Sequence, residues 1–292
     1  MPEISAQKII LGTVQMGLDY GINNSTGKIS IEDSLEILEY AFDNGIRILD
    51  SAEAYGNAHQ VIGAFHKTRP DNVFEIITKL PHHFDADIKD KVLHYLNELR
   101  VTQLHALLFH SFESYKKNVN SFESLIELKA QNKVKHIGVS VYTNSEIEAV
   151  ILNENVDIIQ IPFNLLDNNA LRGEVLKRAK SKGKIIHTRS AFLQGLFFKS
   201  LNSKNTTLEQ LSTELELLTA IKKRNHFSMS HLALNYCLQQ KTIDNVIIGV
   251  DSKNQLKENI AALSYSVNSD VIKEIDAIKV KNPDLLNPSL WT

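Results

Sequence analysis

The sequence predicts an α/β protein in which eight parallel strands alternate with helices and close into one (β/α)8 barrel, the TIM barrel. Eight short apolar runs rich in β-branched residues recur along the 292 residues, as expected for strands buried on both faces of a parallel sheet. Between these runs, apolar residues recur at helical spacing. Because no linker rich in Pro, Gly or Ser divides the chain, we predict a single domain over residues 1–292. A doubly wound open sheet is the structural alternative.

The predicted strands are fairly evenly spaced until the last interval. They are residues 8–14, 46–50, 73–79, 104–110, 134–140, 156–162, 184–190 and 245–250. The interval between the seventh and eighth runs is much longer, so residues 190–212 are predicted to form a long inserted loop over the catalytic face of the barrel. A helix over residues 269–281 and an ordered tail over residues 282–292 are expected to complete the chain.

The segment after the first strand illustrates how the helices are predicted. Ser30 is placed to cap a helix N-terminus, and Asp33 follows three residues later. Apolar residues then recur at helical spacing until Gly45, a residue type that commonly ends helices. The later segments between strands repeat this pattern.

Composition limits the classes of function and partner. The formal net charge is −2, with Lys and Arg spread along the chain, which argues against a nucleic-acid partner. The single cysteine, Cys237, cannot form an internal disulfide and indicates a reducing compartment. No apolar stretch has the length of a membrane span or a secretory leader. We therefore expect a soluble cytoplasmic protein with no membrane partner, either a monomer or a weak homo-oligomer.

Metal chemistry is not expected. His82 and His83 are adjacent, so on an extended segment they cannot face the same way, and no spacing of His and Cys residues is typical of zinc. We expect both side chains to face solvent and predict no metal site.

Four ionisable residues fall where the first predicted strands end, and barrel active sites lie at the C-terminal ends of the strands. They are Asp50, Tyr55, Lys79 and His110. Taken singly, each has an ordinary explanation as a turn residue, a packed ring, a lysine reaching solvent or a hydrogen-bonded histidine. Together they supply a carboxylate, a phenol, an ammonium and an imidazole to one barrel mouth.

One chemical role accounts for all four groups. A phenol is a weak acid at neutral pH, but a neighbouring ammonium stabilises its phenolate, so Lys79 would make Tyr55 a better general acid. Asp50 would keep Lys79 charged, and His110 could orient a substrate oxygen. Protonating a carbonyl oxygen leaves a carbon that needs hydride, which no side chain supplies. A nicotinamide cofactor and a small carbonyl substrate are therefore implied.

These segments resemble the aldo-keto reductase family, and the similarity extends through nearly all of the chain. The stretches "LDSAEAYGNAHQVIG", "IITKL" and "LLFHSF" are similar to the family's strand ends that carry its Asp, Tyr, Lys and His. The resemblance implies that the family's catalytic tetrad corresponds to Asp50, Tyr55, Lys79 and His110.

The second half resembles the family's cofactor-binding segments. "KVKHIGVSVYT" and "IIQIPFN" imply that Ser140 and Gln160 hold the nicotinamide carboxamide, and "TRSAFLQGLF" implies that Arg189 stacks on the nicotinamide ring. The same loop would lie along the pyrophosphate through Phe192, Gln194, Gly195 and Leu196. "VIIGVDSKNQLKENIAAL" resembles the adenosine-binding turn and helix, whose N-terminus favours phosphate. Its matching residues are Gly249, Ser252, Lys253, Gln255 and Asn259.

The chain departs from the family's pattern at three places. Val141 stands where the family commonly has Asn, and His59 with Gln60 replaces an acidic pair. Gln255 stands where many members that prefer a 2′-phosphate have Arg. Lys253 could supply the missing charge, so NADPH is favoured over NADH, which stays possible.

The leading hypothesis is an oxidoreductase that reduces an aldehyde or ketone to an alcohol. The polar segment "GTVQMGLDYGINNSTGKIS" offers Asp19, Tyr20, Asn23 and Asn24 to hydroxyl groups, unless these side chains merely build a solvated loop. This segment and the closing "NPSLW" are similar to aldo-keto reductases of bacterial surface-polysaccharide pathways, which implies a keto-sugar or nucleotide-sugar substrate. The alternatives are a redox-neutral sugar conversion on bound nicotinamide and a cofactor-sensing regulatory subunit.

Overall fold

The chain forms a closed barrel of eight parallel strands, each paired with its neighbours in sequence order. The computed structural model describes residues 5–22, 24, 27–83, 87–199 and 206–291. The strands are Ile9–Gly12 (β1), Ile48–Asp50 (β2), Glu75–Leu80 (β3), Leu104–Phe109 (β4), Val134–Ser140 (β5), Ile158–Pro162 (β6), Ile185–Arg189 (β7) and Asn245–Ile248 (β8). Ile10 pairs with Ile48 on β2 and with Ile247 on β8. Because β1 pairs with both strands, the predicted barrel is confirmed and an open sheet is excluded.

Helices surround this barrel. They are Val14–Gly17 (α1), Ile31–Asp43 (α2), Ala58–Thr68 (α3), Ile88–Leu99 (α4), Phe112–Lys117 (α5), Phe122–Ala130 (α6), Asn144–Ile151 (α7), Asn169–Ser181 (α8), Thr206–Gln210 (α9), Ser212–Arg224 (α10), Met229–Leu238 (α11), Lys253–Ala261 (α12) and Ser269–Asp276 (α13). The Ser30 side chain accepts a hydrogen bond from the Asp33 N–H, as predicted. Across the described ranges, no helix is both long and apolar enough to span a membrane.

The period of two along each strand explains how polar side chains reach the barrel mouth. Apolar side chains such as Ile77, Leu108 and Ile158 form a cluster inside the barrel, and their strand neighbours pack outward against the helices. Since alternate residues face the same side of a sheet, the residue two positions after an interior side chain also faces inward. Lys79 follows Ile77 and His110 follows Leu108 in this way. The alternation of side-chain direction along the strands therefore places Lys79 and His110 at the barrel mouth.

The chain between β7 and β8 is more helical than predicted. The expected loop over residues 190–212 contains a 3-10 segment at Leu193–Phe198 and α9, whereas residues 200–205 lie outside the described part of the chain. The turn at Leu193–Phe198 follows β7 directly and lies at the barrel mouth.

The last helix is shorter than its periodicity predicts. The expected helix over residues 269–281 ends at Asp276, because the Asn168 side chain donates hydrogen bonds of 2.9 Å to the carbonyls of Ile275 and Ile278. Those bonds satisfy carbonyls that another helical turn would have satisfied. The apolar residues that follow pack on the core without helical backbone. The tail then forms 3-10 turns at Pro283–Leu286 and Pro288–Leu290.

Candidate active site

Lys79 lies at the centre of the predicted constellation and is 1% exposed. Its Nζ donates to Asp50 Oδ1 at 2.5 Å, to the Ser51 carbonyl at 2.9 Å and to Tyr55 Oη at 3.4 Å. An ammonium has three N–H donors, so these contacts use all of them. The ammonium is therefore fixed in position, with one donor aimed at the tyrosine hydroxyl.

The charge of this lysine is set by its carboxylate partner. Burial by itself lowers the pKa of Lys79, but the Asp50 carboxylate, together with Tyr55, outweighs burial and raises that pKa above its ordinary value. Lys79 is therefore an ammonium at neutral pH although it is enclosed by protein. The other carboxylate oxygen of Asp50 accepts a hydrogen bond of 2.8 Å from Gln160 Nε2, which leaves Asp50 as an acceptor from both sides.

Tyr55 is carried by a loop that packs tightly on α1. A Cβ added to Gly17 would lie 1.8 Å from the Tyr55 carbonyl oxygen, and one added to Gly56 would lie 2.4 Å from the Gly17 carbonyl oxygen. Gly56 also has a φ of +53°, a conformation in which glycine has no steric cost. Side chains at either position would push the loop away from α1. These two glycines therefore allow the close approach that places Tyr55 beside Lys79.

His110 is an uncharged imidazole. Burial, followed by the charges of Lys79, His82 and Arg189, lowers the pKa of His110 to about 3. Its ring stands edge-on to the Tyr55 ring, with centroids 5.8 Å apart. Its Nδ1 is buried and has no hydrogen-bond partner among the described residues. A neutral imidazole can donate one hydrogen bond without adding charge to the site.

The expectation for His82 was incomplete. Its side chain is exposed, as predicted, but its ring stacks on His110 with centroids 4.8 Å apart and an interplanar angle of 19°. This contact was not predictable from the sequence, because it depends on how the ends of β3 and β4 meet. In the described part of the chain, no group of His, Cys, Asp and Glu residues is arranged to hold a metal.

A cavity of about 430 Å³ runs from Asp50 and Tyr55 to α12. The predicted cofactor residues in its wall are Gln160, Arg189, Phe192, Gln194, Gly195, Gly249, Gln255 and Asn259. The predicted residues outside that wall are Lys79, His110, Ser140, Leu196, Ser252 and Lys253. Ser140 pairs in register with Gln160, so the two predicted carboxamide ligands lie side by side. Lys79 and His110 are both next to Tyr55, which lines the cavity.

The cavity wall fits a dinucleotide. Asn259 is 5% exposed and lines the cavity, yet its side chain makes no hydrogen bond with any residue that the structure describes. Ser252 caps α12 by accepting from the Gln255 N–H, and the free N–H groups of such a first turn favour phosphate. Leu193 and Gln194 have φ values of +47° and +52°. Strained backbone of this kind clusters at ligand-binding loops.

The feature that favoured NADPH is absent from this cavity. Lys253 Nζ lies 3.3 Å from a Glu36 carboxylate oxygen on α2 and 5.9 Å from the centroid of the Tyr40 ring. Lys253 therefore pairs with a carboxylate on α2, and it is not among the described residues that line the cavity.

Sequence reasoning missed an anchor for the loop that carries Tyr55. Glu53 accepts hydrogen bonds from Tyr95 Oη and from Lys91 Nζ, the latter at 2.9 and 3.0 Å. The Glu53 N–H also donates to the Lys79 carbonyl at 3.2 Å. Tyr95 and Lys91 are four residues apart and so share one face of α4. That spacing is visible in the sequence, but nothing in the sequence identifies Glu53 as their common partner.

A second buried network supports the strand that carries Lys79. His59 Nε2 lies 2.8 Å from the hydroxyl of Thr78, and His59 Nδ1 lies 3.1 Å from a Glu98 carboxylate oxygen. His59, one of the departures from the family's pattern, therefore has polar partners at both ring nitrogens. The network connects α3 and α4 to the residue immediately before Lys79.

The barrel, the buried lysine beside a tyrosine and the long cavity fit an oxidoreductase that uses NAD(P)H, which is the class that the family match assigns to the chain. The model of the aldo/keto reductase family matches residues 8–280, and the chain belongs to that family. It is 23% identical to D-threo-aldose 1-dehydrogenase from a Pseudomonas species, covering 88% of this chain and 92% of that protein. It is 22% identical to the NADH-specific methylglyoxal reductase of Escherichia coli, covering 91% and 92%. The fold matches that of an aldo-keto reductase from Bacillus halodurans with a TM-score of 0.73 and 19% identity, covering 93% and 92%.

Proposed function

We propose that this protein reduces the carbonyl group of a polar, hydroxylated aldehyde or ketone to an alcohol, with Tyr55 as the proton donor. The observation that carries the proposal is the position of the Tyr55 hydroxyl. It lies 3.4 Å from the buried Lys79 ammonium, at one end of a cavity that continues to α12. A carbonyl oxygen that enters this end meets a phenol beside a fixed positive charge.

Lys79 and Asp50 prepare Tyr55 for proton transfer. When the hydroxyl gives its proton to the carbonyl oxygen, the tyrosine becomes a phenolate, and the ammonium stabilises that negative charge. Asp50 holds Lys79 in its charged form and in the orientation that serves Tyr55. A bound nicotinamide would supply the hydride that the carbonyl carbon needs.

His110 orients the carbonyl. Because its imidazole is neutral, it donates one hydrogen bond to the substrate oxygen and does not compete with Tyr55 as an acid. Fixing the oxygen between two donors lowers the entropic part of the barrier. The stacked His82 ring restricts how far the imidazole can turn.

The remaining predicted residues would hold the cofactor. Gln160 uses its amide N–H on Asp50, so its amide oxygen is left to accept from the nicotinamide carboxamide beside Ser140. Arg189 lies at the end of β7, with its guanidinium carbon 4.2 Å from the centroid of the Tyr142 ring, and would stack on the nicotinamide ring, as the family resemblance implies. The turn over Phe192, Gln194, Gly195 and Leu196 would follow the pyrophosphate. Gly249, Ser252, Gln255 and Asn259 would hold the adenosine half.

A sugar-like substrate is supported by one of the four predicted polar residues. Tyr20 lines the cavity, and its hydroxyl accepts a hydrogen bond of 2.9 Å from Gln194 Nε2. Asp19 accepts from the Lys28 N–H, and the Asn24 side chain bonds to the backbone of Tyr20 and Gly27, so both hold their own loop together. Asn23 lies outside the described residues. The relative that is named as an aldose dehydrogenase acts on a sugar. We therefore propose a keto-sugar or nucleotide-sugar as the substrate.

Replacement of Tyr55 by Phe tests the proton donor. Loss of a general acid lowers turnover by about 10²- to 10⁴-fold, so Tyr55→Phe should lose carbonyl reduction to that extent and still bind NAD(P)H. Tyr265→Phe, which alters a half-exposed tyrosine on the surface, is the control and should match the wild type. Unimpaired turnover by Tyr55→Phe would refute the assignment.

A substrate panel tests the proposed sugar class. Values of kcat/KM should be higher for keto-sugars and nucleotide-sugars than for hydrophobic aldehydes of similar size, because the polar wall leaves unpaired groups beside an apolar ligand. Turnover of hydrophobic aldehydes alone would contradict the sugar assignment. Oxidation of one NAD(P)H per alcohol formed would exclude the redox-neutral alternative.

A further inference from the structure

The His110 imidazole, which orients the carbonyl in the proposed mechanism, has no polar anchor of its own. Its Nδ1 is buried without a hydrogen-bond partner, and in the described part of the chain the ring makes no hydrogen bond at all. Its orientation therefore depends on the rings that pack against it. We infer that His82 is a positioning residue that acts on the substrate through His110. The inference rests on the proposed function and goes further by naming the residue that fixes the His110 donor.

His82 stacks on the His110 ring. The ring centroids are 4.8 Å apart and the interplanar angle is 19°, whereas the Tyr55 ring meets the imidazole edge-on at 79° and 5.8 Å. Stacked aromatic rings attract each other, and a tilt of the imidazole out of its plane would break the parallel contact. His82 therefore holds the His110 ring in one plane, and with it the direction of the ring N–H group.

His82 is itself anchored to the chain segment that carries His110. Its Nδ1 lies 3.1 Å from the hydroxyl oxygen of Ser111, the residue that follows His110. The same hydroxyl oxygen accepts a hydrogen bond of 3.1 Å from the Ser114 N–H and so caps α5. Because the cap fixes the Ser111 hydroxyl, that hydroxyl in turn fixes the His82 ring. The chain after β3 and the chain after β4 are thus joined at two points, the ring stack and this hydrogen bond.

The exposure of His82 makes its role separable from the stability of the fold. Its side chain faces solvent, and replacing an exposed side chain has little effect on stability in most proteins. The next residue supplies a matched control. His83 is exposed too, and it makes no hydrogen bond, ion pair or ring contact with any residue that the structure describes. A rate that depends on His82 but not on His83 therefore reports the contact with His110.

Kinetics of three single variants test the inference with a carbonyl substrate that the wild-type protein turns over. His82→Ala removes the stack, so kcat should fall by about tenfold, with the dissociation constant of NAD(P)H unchanged. His82→Phe keeps an aromatic ring on His110 and should recover most of this loss. His83→Ala should match the wild type. Equal kcat values for His82→Ala and His83→Ala, or no recovery in His82→Phe, would overturn the inference.

A double-variant comparison tests whether His82 acts through His110. In single-turnover oxidation of bound NAD(P)H, His82→Ala should change the rate of the His110→Ala protein by less than about twofold, because the group that it positions is gone. If His82→Ala cost the same factor with and without His110, it would act by another route and the inference would fail.

Nuclear magnetic resonance of protein labelled at histidine reports the His110 ring without turnover. The ring signals, assigned by their loss in His110→Ala, should shift or broaden in His82→Ala and stay unchanged in His83→Ala. Unchanged His110 signals in His82→Ala would overturn the inference and leave the proposed reduction intact. A wild-type protein that reduces no carbonyl compound would instead overturn the proposed function, and with it the role of His82 in that reaction.

Discussion

At the residue scale, the properties of the site depend on which atoms surround Lys79. An ammonium in a closed site is stable only beside a counter-charge, and Asp50 supplies that charge at 2.5 Å. Burying this ion pair costs desolvation free energy. We therefore attribute its role to the positive charge that it places beside Tyr55, and not to fold stability. The residue types of this pair were predictable from the sequence, but the third donor contact, to the Ser51 carbonyl, was not.

Replacement of Asp50 should destabilise the fold as well as the site. Asp50→Asn leaves a buried ammonium without its partner, which costs about 3–5 kcal/mol for pairs of this kind. In urea unfolding, Asp50→Asn should therefore lose about that much free energy of unfolding, and Asp50→Asn/Lys79→Met should recover part of the loss. If the double variant were less stable than Asp50→Asn by the full cost of Lys79→Met alone, the two residues would not be coupled.

At the element scale, the loop between β2 and α3 is held from both sides. Gly17 and Gly56 let it approach α1, and Glu53 ties it to α4 through Tyr95 and Lys91. Spacing along the sequence predicted the strand ends and the loop. It could not predict the anchors, since each one joins residues that are far apart in the chain and meet only after the barrel closes.

Loss of the Glu53 anchor should affect turnover more than cofactor binding. Glu53→Gln weakens the contacts with Lys91 and Tyr95, and small displacements of a positioned group lower rates strongly. We expect kcat to fall by about tenfold or more, with the dissociation constant of NAD(P)H unchanged. Glu39→Gln, which removes an exposed carboxylate paired with Arg69, is the control. Equal kcat values in the two variants would show that the anchor does not position Tyr55.

At the scale of the whole molecule, the closed barrel explains why the fold was predictable and part of the site was not. Continuous apolar runs indicate strands that are buried on both faces. Because successive side chains of a strand point to opposite faces, Asp50, Lys79 and His110 are placed inside the mouth. The family resemblance implies that Lys253 is a cofactor ligand, but the sequence does not show that Lys253 contacts Glu36. Its partner Glu36 lies on α2, which reaches α12 only when β8 closes against β1. The roles of the predicted site residues stay predictions until variants test them.

The closed barrel also buries a histidine that should weaken the fold in acid. Burial, followed by the nearby His105 and His136, lowers the pKa of His187 to about 3, below the ordinary value of about 6.5 that a histidine has in an unfolded chain. Between pH 6.5 and 3 the unfolded state therefore binds a proton that the folded state does not, and stability falls as pH falls. In this pH range, His187 lowers the free energy of unfolding by at most about 1.4 kcal/mol for each unit that the pH falls.

His187→Gln removes this titration. The free energy of unfolding of the variant, measured in urea between pH 6.5 and pH 4, should decrease less steeply with falling pH than that of the wild-type protein. At neutral pH, where His187 is uncharged in both states, the histidine makes no contribution of this kind. Parallel pH profiles for the two proteins would contradict the assignment.

We propose that Tyr55 and Lys79 act as one proton-donating unit. Single-turnover oxidation of bound NAD(P)H by a carbonyl substrate tests it most directly, in the wild-type protein, Tyr55→Phe, Lys79→Met and the double variant. Groups that act as a unit show strongly non-additive losses. We predict that both single variants are slow and that the double variant is no slower than the slower of the two. Losses that multiply in the double variant, or a Tyr55→Phe rate equal to that of the wild type, would contradict the claim.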